Sequence, residues 1–154
     1  MFHIVLFSPK IPQNVGAIGR TCVCTGSTLS VIAPTPIEFD DKKLRRAGLD
    51  YWQYLDFRLW ESLDAFTAAH PITDRHFFLT TKTSKHYFEA EFRLNDYFWF
   101  GAEDTGLPED FWRAHTENAL TIPMKKEFRS LNLANAAAII TYEAMRQNFT
   151  HYQL

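Results

Sequence analysis

Three stretches of this 154-residue chain carry residue types and spacings suited to ligand chemistry. The first is Asn14-Val15-Gly16-Ala17-Ile18-Gly19-Arg20 and the second is Gly101-Ala102-Glu103-Asp104-Thr105-Gly106. The third runs from Ile122-Pro123-Met124 to Ser130-Leu131-Asn132-Leu133-Ala134-Asn135-Ala136. In the first, Arg20 follows Gly16 by one helical turn and is available to a phosphate, a ribose or a neighbouring carboxylate. In the second, two glycines permit backbone conformations closed to other residues and let a ligand lie against the chain. Glu103 between them suits loop amides or a ligand hydroxyl. In the third, Ser130 is suited to cap a helix, and Asn132 and Asn135 need partners from backbone or ligand in an otherwise apolar segment. Each stretch alone also reads as an ordinary turn or cap. Gly16 and Gly19 lack the G-x-G-x-x-G spacing, and Ala33-Pro34-Thr35 stands where an acidic ribose ligand would be, so a nicotinamide site is disfavoured.

These stretches must be positioned by regular elements. Phe2 to Phe7 reads as a strand, ended by Ser8-Pro9. Asn14 is expected to cap a helix that runs to Thr25 and stops at Gly26. Leu29 to Ala33 is a second strand, broken by Pro34 and Pro36. Asp40 or Asp41 caps a short basic helix through Ala47. Tyr54 to Leu59 reads as a short strand, and Ser62 caps a helix through Ala69. Strands follow at Arg75–Thr81 and Tyr97–Phe100, a helix opens at Pro108, and a short strand spans Ala119–Ile122. Leu131 to Phe149 is the last helix, and Lys82 to Arg93 is the least regular part. Strands alternating with helices predict a single-domain α/β fold over residues 1–154, with a mostly parallel sheet flanked by helices. Each candidate loop then follows a strand, at the sheet edge where open α/β folds bind ligands.

The last helix is apolar nearly all round over its first four turns, which requires burial on several sides. One of those sides is read as a contact with a second copy of the chain, the alternative being a central core helix in a monomer.

Composition narrows the function classes. Hydrophobic residues make up 46% of the chain, 14 of them Phe, so a packed core is expected rather than disorder. No apolar run is long enough to span a bilayer, and Met1-Phe2-His3-Ile4 has no signal-peptide pattern, so a cytoplasmic protein is expected. Cys22 and Cys24 cannot make a disulfide framework. A Cys-x-Cys pair admits metal or redox chemistry, but two small side chains on a packed helix is the favoured reading, and no metal is expected. The net charge of −2 does not advertise nucleic acid. Locally, Lys42, Lys43, Arg45 and Arg46 cluster, and Lys125, Lys126 and Arg129 cluster again inside the third stretch, which favours a polyanion.

In their order, the three stretches resemble the three sequence motifs of the SPOUT class of RNA methyltransferases. Asp41 to Tyr51 further resembles one branch, the tRNA (cytidine/uridine) wobble-position 2′-O-methyltransferases. Tyr142-Glu143-Ala144-Met145-Arg146-Gln147 resembles the same branch. The resemblance spans nearly the whole chain and leaves no room for an appended RNA-binding domain. It implies a C-terminal trefoil knot, a homodimer formed through the last helix, S-adenosylmethionine as methyl donor and tRNA as substrate. By matching position, it implies cofactor contacts from Leu79, Thr80, Gly101, Glu103, Gly106, Ile122, Met124, Ser130, Leu131 and Asn135. It gives Arg20, Asn14, Ser130 and Asn132 to catalysis, and Arg20, Lys42, Lys43, Arg45, Arg46 and Tyr142 to RNA. One departure stands out: the second motif usually has proline where this chain has Ala102. The core motifs alone leave two other readings open, a related enzyme for ribosomal RNA or another tRNA site and a non-catalytic dimeric RNA-binding protein.

Overall fold

Six strands form one sheet in the order β3-β2-β1-β5-β4-β6, and every pairing is parallel. The computed structural model describes residues 1–40, 50–125 and 127–151. The strands are β1 (His3–Phe7), β2 (Thr28–Ile32), β3 (Phe57–Trp60), β4 (His76–Leu79), β5 (Tyr97–Phe100) and β6 (Ala119–Leu120). The helices are α1 (Pro12–Thr25), α2 (Leu63–Ala69), α3 (Glu109–Arg113) and α4 (Leu133–Gln147). The expected basic helix up to Ala47 lies outside the described residues, with Lys42, Lys43, Arg45 and Arg46; so does Lys126.

A parallel sheet needs both faces covered, and the strands supply apolar side chains in both directions. Ile4 and Leu6 of β1, Phe77 of β4 and Phe98 and Phe100 of β5 belong to one core, which takes Val15, Ile18 and Cys22 from α1 and Ala137, Ile140 and Ala144 from α4. Val5, Phe78 and Trp99 belong to the other, with Phe66 of α2 and Trp112 of α3. Fully burying one such large side chain contributes roughly 1.5–3 kcal/mol, so the alternation fixes the register as well as the fold.

The connection from β5 to β6 passes over β4, because β6 pairs with β4 and not with β5. The loops after β4, β5 and β6 are thereby gathered at one sheet end. At the opposite end, His3, Tyr97 and His76 are partners in register on three adjacent strands. Their rings stack at 4.3 and 4.2 Å. The Trp99 indole N–H donates to His76 Nδ1 at 3.0 Å, deep in the core. Arg75 makes a two-pronged contact with buried Asp96, closing that end between β4 and β5.

Several boundaries differ from the sequence reading. Helix α1 begins at Pro12, so Asn14 lies inside the first turn instead of capping it, and Ile11 at the N-cap position has no side-chain cap. Proline at the first turn has no N–H to satisfy. The C-terminal stop is as expected: Gly26 takes a left-handed φ of 62° and its N–H returns to the carbonyls of Cys22 and Val23. Ser62 caps α2 by accepting from the Ala65 N–H at 3.1 Å. Residues 54–56 are not strand: Asp50–Tyr54 is a 3-10 turn, and β3 starts only at Phe57. The segment 82–93 is tied down by a bridge between His86 and Thr121 and a 3-10 turn at Tyr87–Glu89.

Helix α4 starts two residues later than expected and is capped by Asn132, not Ser130. Asn132 Oδ1 accepts from the N–H groups of Ala134 and Asn135 at 2.9 and 3.2 Å. Its inner face buries Leu133, Ala137, Ile140, Thr141, Ala144 and Met145. Its outer face leaves Ile139 and Tyr142 36% and 52% exposed, so this helix is not covered all round within one chain.

Candidate functional site

The loops gathered beyond β4, β5 and β6 enclose a cavity of about 620 Å³, a size typical of small-molecule sites. Leu79 to Lys82 form one wall, Phe100 to Leu107 a second, and Thr121, Ile122 and Met124 a third. Arg129 to Leu133 close the far side. Ile11 and Asn14 contribute from the start of α1, and Trp112 from α3.

The wall from Gly101 to Gly106 is folded hard back on itself. A Cβ at Gly101 would stand 1.9 Å from the carbonyl carbon of Gly106 and 2.0 Å from the Leu107 nitrogen. Only glycine permits that approach. Gly106 itself takes φ +71°, and its N–H donates to the Ala102 carbonyl at 2.8 Å, closing the turn.

That fold-back aims Glu103 at the entry of α1. Its carboxylate accepts from the N–H groups of Lys10 and Ile11 at 2.8 and 3.1 Å and from Asn14 Nδ2 at 2.9 Å. Burial pushes the Glu103 carboxyl upward, but the bonds from Asn14, Lys10 and Ile11 outweigh it and leave its pKa below the usual carboxylate value. Glu103 is therefore an anion that fastens two loops together. Lys10 Nζ reinforces the junction with Asp104 at 2.6 Å. Asn14, 6% exposed, then passes the connection on. Its Oδ1 accepts from Asn132 Nδ2 at 2.9 Å, and Asn132 caps α4. One line of hydrogen bonds thus joins the second motif, the first and the third.

Of the residues singled out in the sequence, Asn14, Leu79, Thr80, Gly101, Glu103, Gly106, Ile122, Met124, Ser130, Leu131 and Asn132 are brought to this cavity. Asn135 is not: it is exposed on α4, facing away from the cavity that its neighbours Leu133 and Ala136 line. Arg20 is also outside the wall. It lies six residues past Asn14 on a different face of α1, exposed, with its guanidinium 4.6 Å over the Tyr51 ring. Tyr51 is held in turn by donating to the Gly16 carbonyl at 2.5 Å. Tyr142 is exposed on the outer face of α4.

Sequence reasoning missed the apolar floor, Phe100, Leu107 and Trp112, because these read as core residues. It also missed Lys82 at the rim, which pairs with Glu109 of α3 at 2.7 Å. The floor suits a flat ring, while Thr80, Ser130 and the loop backbone suit hydroxyl and charged groups. The cavity residues therefore fit a ligand that is part purine and part amino acid. Among the described residues no group of three or more His, Cys, Asp or Glu could hold a metal ion. Among them, too, no helix is long and apolar enough to cross a membrane.

Comparisons with known proteins place the chain among RNA methyltransferases. Residues 1–142 match the model of the SpoU rRNA Methylase family. A tRNA (cytidine(34)-2′-O)-methyltransferase of Burkholderia ambifaria is 42% identical over 149 residues, covering 96% of each chain. A solved structure concerned with the 2-OH methylation of C/U34 on tRNA superposes with TM-score 0.89 at 43% identity, over 97% of both chains. The SpoU methyltransferase AviRb from Streptomyces viridochromogenes, in complex with AdoMet, superposes with TM-score 0.76 at 27% identity, over 96% of this chain and 60% of its own.

Proposed function

The chain belongs to the SpoU rRNA Methylase family, and from that membership and the cavity we propose that it methylates the ribose 2′-hydroxyl of the wobble cytidine or uridine in the tRNA anticodon loop. The observation that carries this reading is the convergence of all three motifs on one cavity, joined by the Glu103–Asn14–Asn132 line. Near-complete coverage of relatives with that specificity supports it. Residues 1–154 act as one methyltransferase domain in the cytoplasm, with the trefoil knot of the SPOUT class around the cavity.

S-Adenosylmethionine is the methyl donor in this reading, supplying an activated methyl group on a sulfonium. The protein's own work is alignment and charge control. The apolar floor of Phe100, Leu107 and Trp112 receives the adenine, and Thr80, Ile122, Met124, Ser130 and Leu131 frame the rest. A guanidinium is a poor base, so Arg20 acts on RNA by stabilising the alkoxide that forms as the 2′-hydroxyl gives its proton to solvent water. Arg20 stands off the cavity wall of its own chain. In this reading a second copy covers the exposed Ile139 and Tyr142 of α4 and reaches the exposed Arg20 of α1. The homodimer then lets one copy's Arg20 serve its partner's cavity. Lys42, Lys43, Arg45 and Arg46 complete the RNA contact.

The deciding experiment is methyl transfer from labelled S-adenosylmethionine to bulk tRNA, followed by nucleoside mapping. The expected product is 2′-O-methylated cytidine or uridine at the wobble position. Label on a base, or on ribosomal RNA alone, overturns this reading.

A further inference from the structure

Phe128 has no place in the cavity or the core. It is 68% exposed, among the most exposed large hydrophobic side chains of the described residues. It stands in the third motif stretch, in the segment between β6 and α4 that carries a cluster of cations. The Phe128 N–H donates to the Lys125 carbonyl at 3.1 Å. That bond brings the backbones of Lys125 and Phe128 close together. The next residue, Arg129, lines the cavity, followed by Ser130 and Leu131. An exposed aromatic ring therefore stands one residue outside the cavity rim, in a short segment that carries Glu127 before it and the cations Lys125 and Arg129.

An aromatic ring costs free energy in water, and this one is not repaid by burial within the chain. An exposed flat ring in a segment with cations suits single-stranded nucleic acid: the cations hold phosphates and the ring stacks on a base. The chemistry proposed for the cavity supplies the occupant. Methyl transfer to a ribose oxygen requires the sugar to enter, but the base takes no part and must be held outside. A loop nucleotide with its base unstacked presents that base for stacking on an aromatic side chain.

We propose that Phe128 is a stacking platform for a nucleobase of the substrate RNA, at or next to the methylated nucleotide, with Lys125 and Arg129 holding the adjoining phosphates. The proposal rests on the RNA methyltransferase reading above. It adds a base-positioning residue outside the set implied by the family motifs. Stacking on a ring is tolerant of base identity, so this contact sets affinity and register, and it fits an enzyme that accepts more than one pyrimidine.

The test compares wild type, Phe128→Ala and Phe128→Tyr on an anticodon stem-loop RNA. Initial rates are measured against RNA and against S-adenosylmethionine. Phe128→Ala is expected to lose roughly 5- to 150-fold in kcat/KM for RNA, with the KM for S-adenosylmethionine unchanged and Phe128→Tyr close to wild type. On a stem-loop made abasic at the methylated position and its two neighbours, wild type and Phe128→Ala should become equal. Equal rates of the two proteins on the intact RNA overturn the proposal while leaving the methyltransferase reading intact. A defect that persists on the abasic RNA also overturns it, as does one explained by a change in oligomeric state on a sizing column. A wild type that neither methylates nor binds the stem-loop overturns both readings.

Discussion

Asn14 and Asn132, 118 positions apart in the chain, are joined side chain to side chain at 2.9 Å. Each has a second partner: Asn14 donates to Glu103, and Asn132 accepts from the first turn of α4. Replacing Asn14 by alanine deprives the half-buried Glu103 carboxylate and the Asn132 amide of a partner at once. The expected cost is about 1–3 kcal/mol of stability. Urea denaturation of both single variants and the double variant checks this. The coupling energy should be at least about 0.5 kcal/mol, and strict additivity would show that the two amides act independently.

The cavity loops should respond to cofactor as a unit. S-Adenosylmethionine at about 100 times its Kd should stabilise the folded protein by roughly 2.7 kcal/mol, read as a rise in Tm. Gly101→Ala should lose most of that rise. The new methyl group would meet backbone atoms of Gly106 and Leu107 that have no room to yield. An undiminished Tm shift in the variant would disprove the tight fold-back.

Arg20 makes its stacking contact with Tyr51 on an exposed face and lies off the cavity wall. Arg20→Ala should therefore keep both its unliganded Tm and its S-adenosylmethionine-induced shift, while methyl transfer to tRNA falls by at least about a hundredfold, the scale of losing one charge-stabilising donor. Near-normal turnover would remove Arg20 from the mechanism.

The core histidine predicts an acid-sensitive fold. An indole N–H can only donate, so Trp99 requires an unprotonated His76 Nδ1. Burial, with the positive fields of His70, His115 and His3, lowers the His76 pKa to about 4 from an ordinary 6.5. Between these values the unfolded chain binds the extra proton and the folded chain does not. The contribution of His76 is thus fully present above about pH 6.5 and is lost as pH falls towards 4, by at most about 1.4 kcal/mol per pH unit. His3 and His70, also shifted downward, act in the same sense. Denaturation at pH 7.5, 6 and 5 should show the decline. His76→Gln should flatten it, because an amide oxygen still accepts from Trp99 without titrating.

The outer face of α4 should hold the second copy. Tyr142→Glu puts a charge on its exposed centre and should shift the protein to monomer on a sizing column with light scattering. A dimer that survives the change would place the contact elsewhere.

What the sequence disclosed followed physical rules that act locally. Gly26 stopping α1, Ser62 capping α2 and the apolar run of β5 are decided by a few neighbouring residues. The misread caps share one cause. Asn14 and Ser130 each look like a cap from their neighbours, but the actual assignments depend on residues about a hundred positions away. Glu103 supplies the acceptor that α1 needs at its entry, freeing Asn14 to face Asn132. Local pattern likewise offers no way to see that β6 pairs outside β4, which is what turns three separate loops into one cavity. The floor residue Trp112 was indistinguishable from core because it is core on one side and wall on the other.

The fold-back at Gly101 bears on which positions of this loop admit a side chain. Ala102, 5% exposed, stands where the motif usually carries proline, and its carbonyl is already held by the Gly106 N–H. The stiffness a pyrrolidine ring would contribute is therefore provided by the turn itself. At 101, by contrast, any step away from glycine is closed. Of the two neighbouring positions, the departure from the usual pattern falls on the one where the turn's closing bond runs through the backbone.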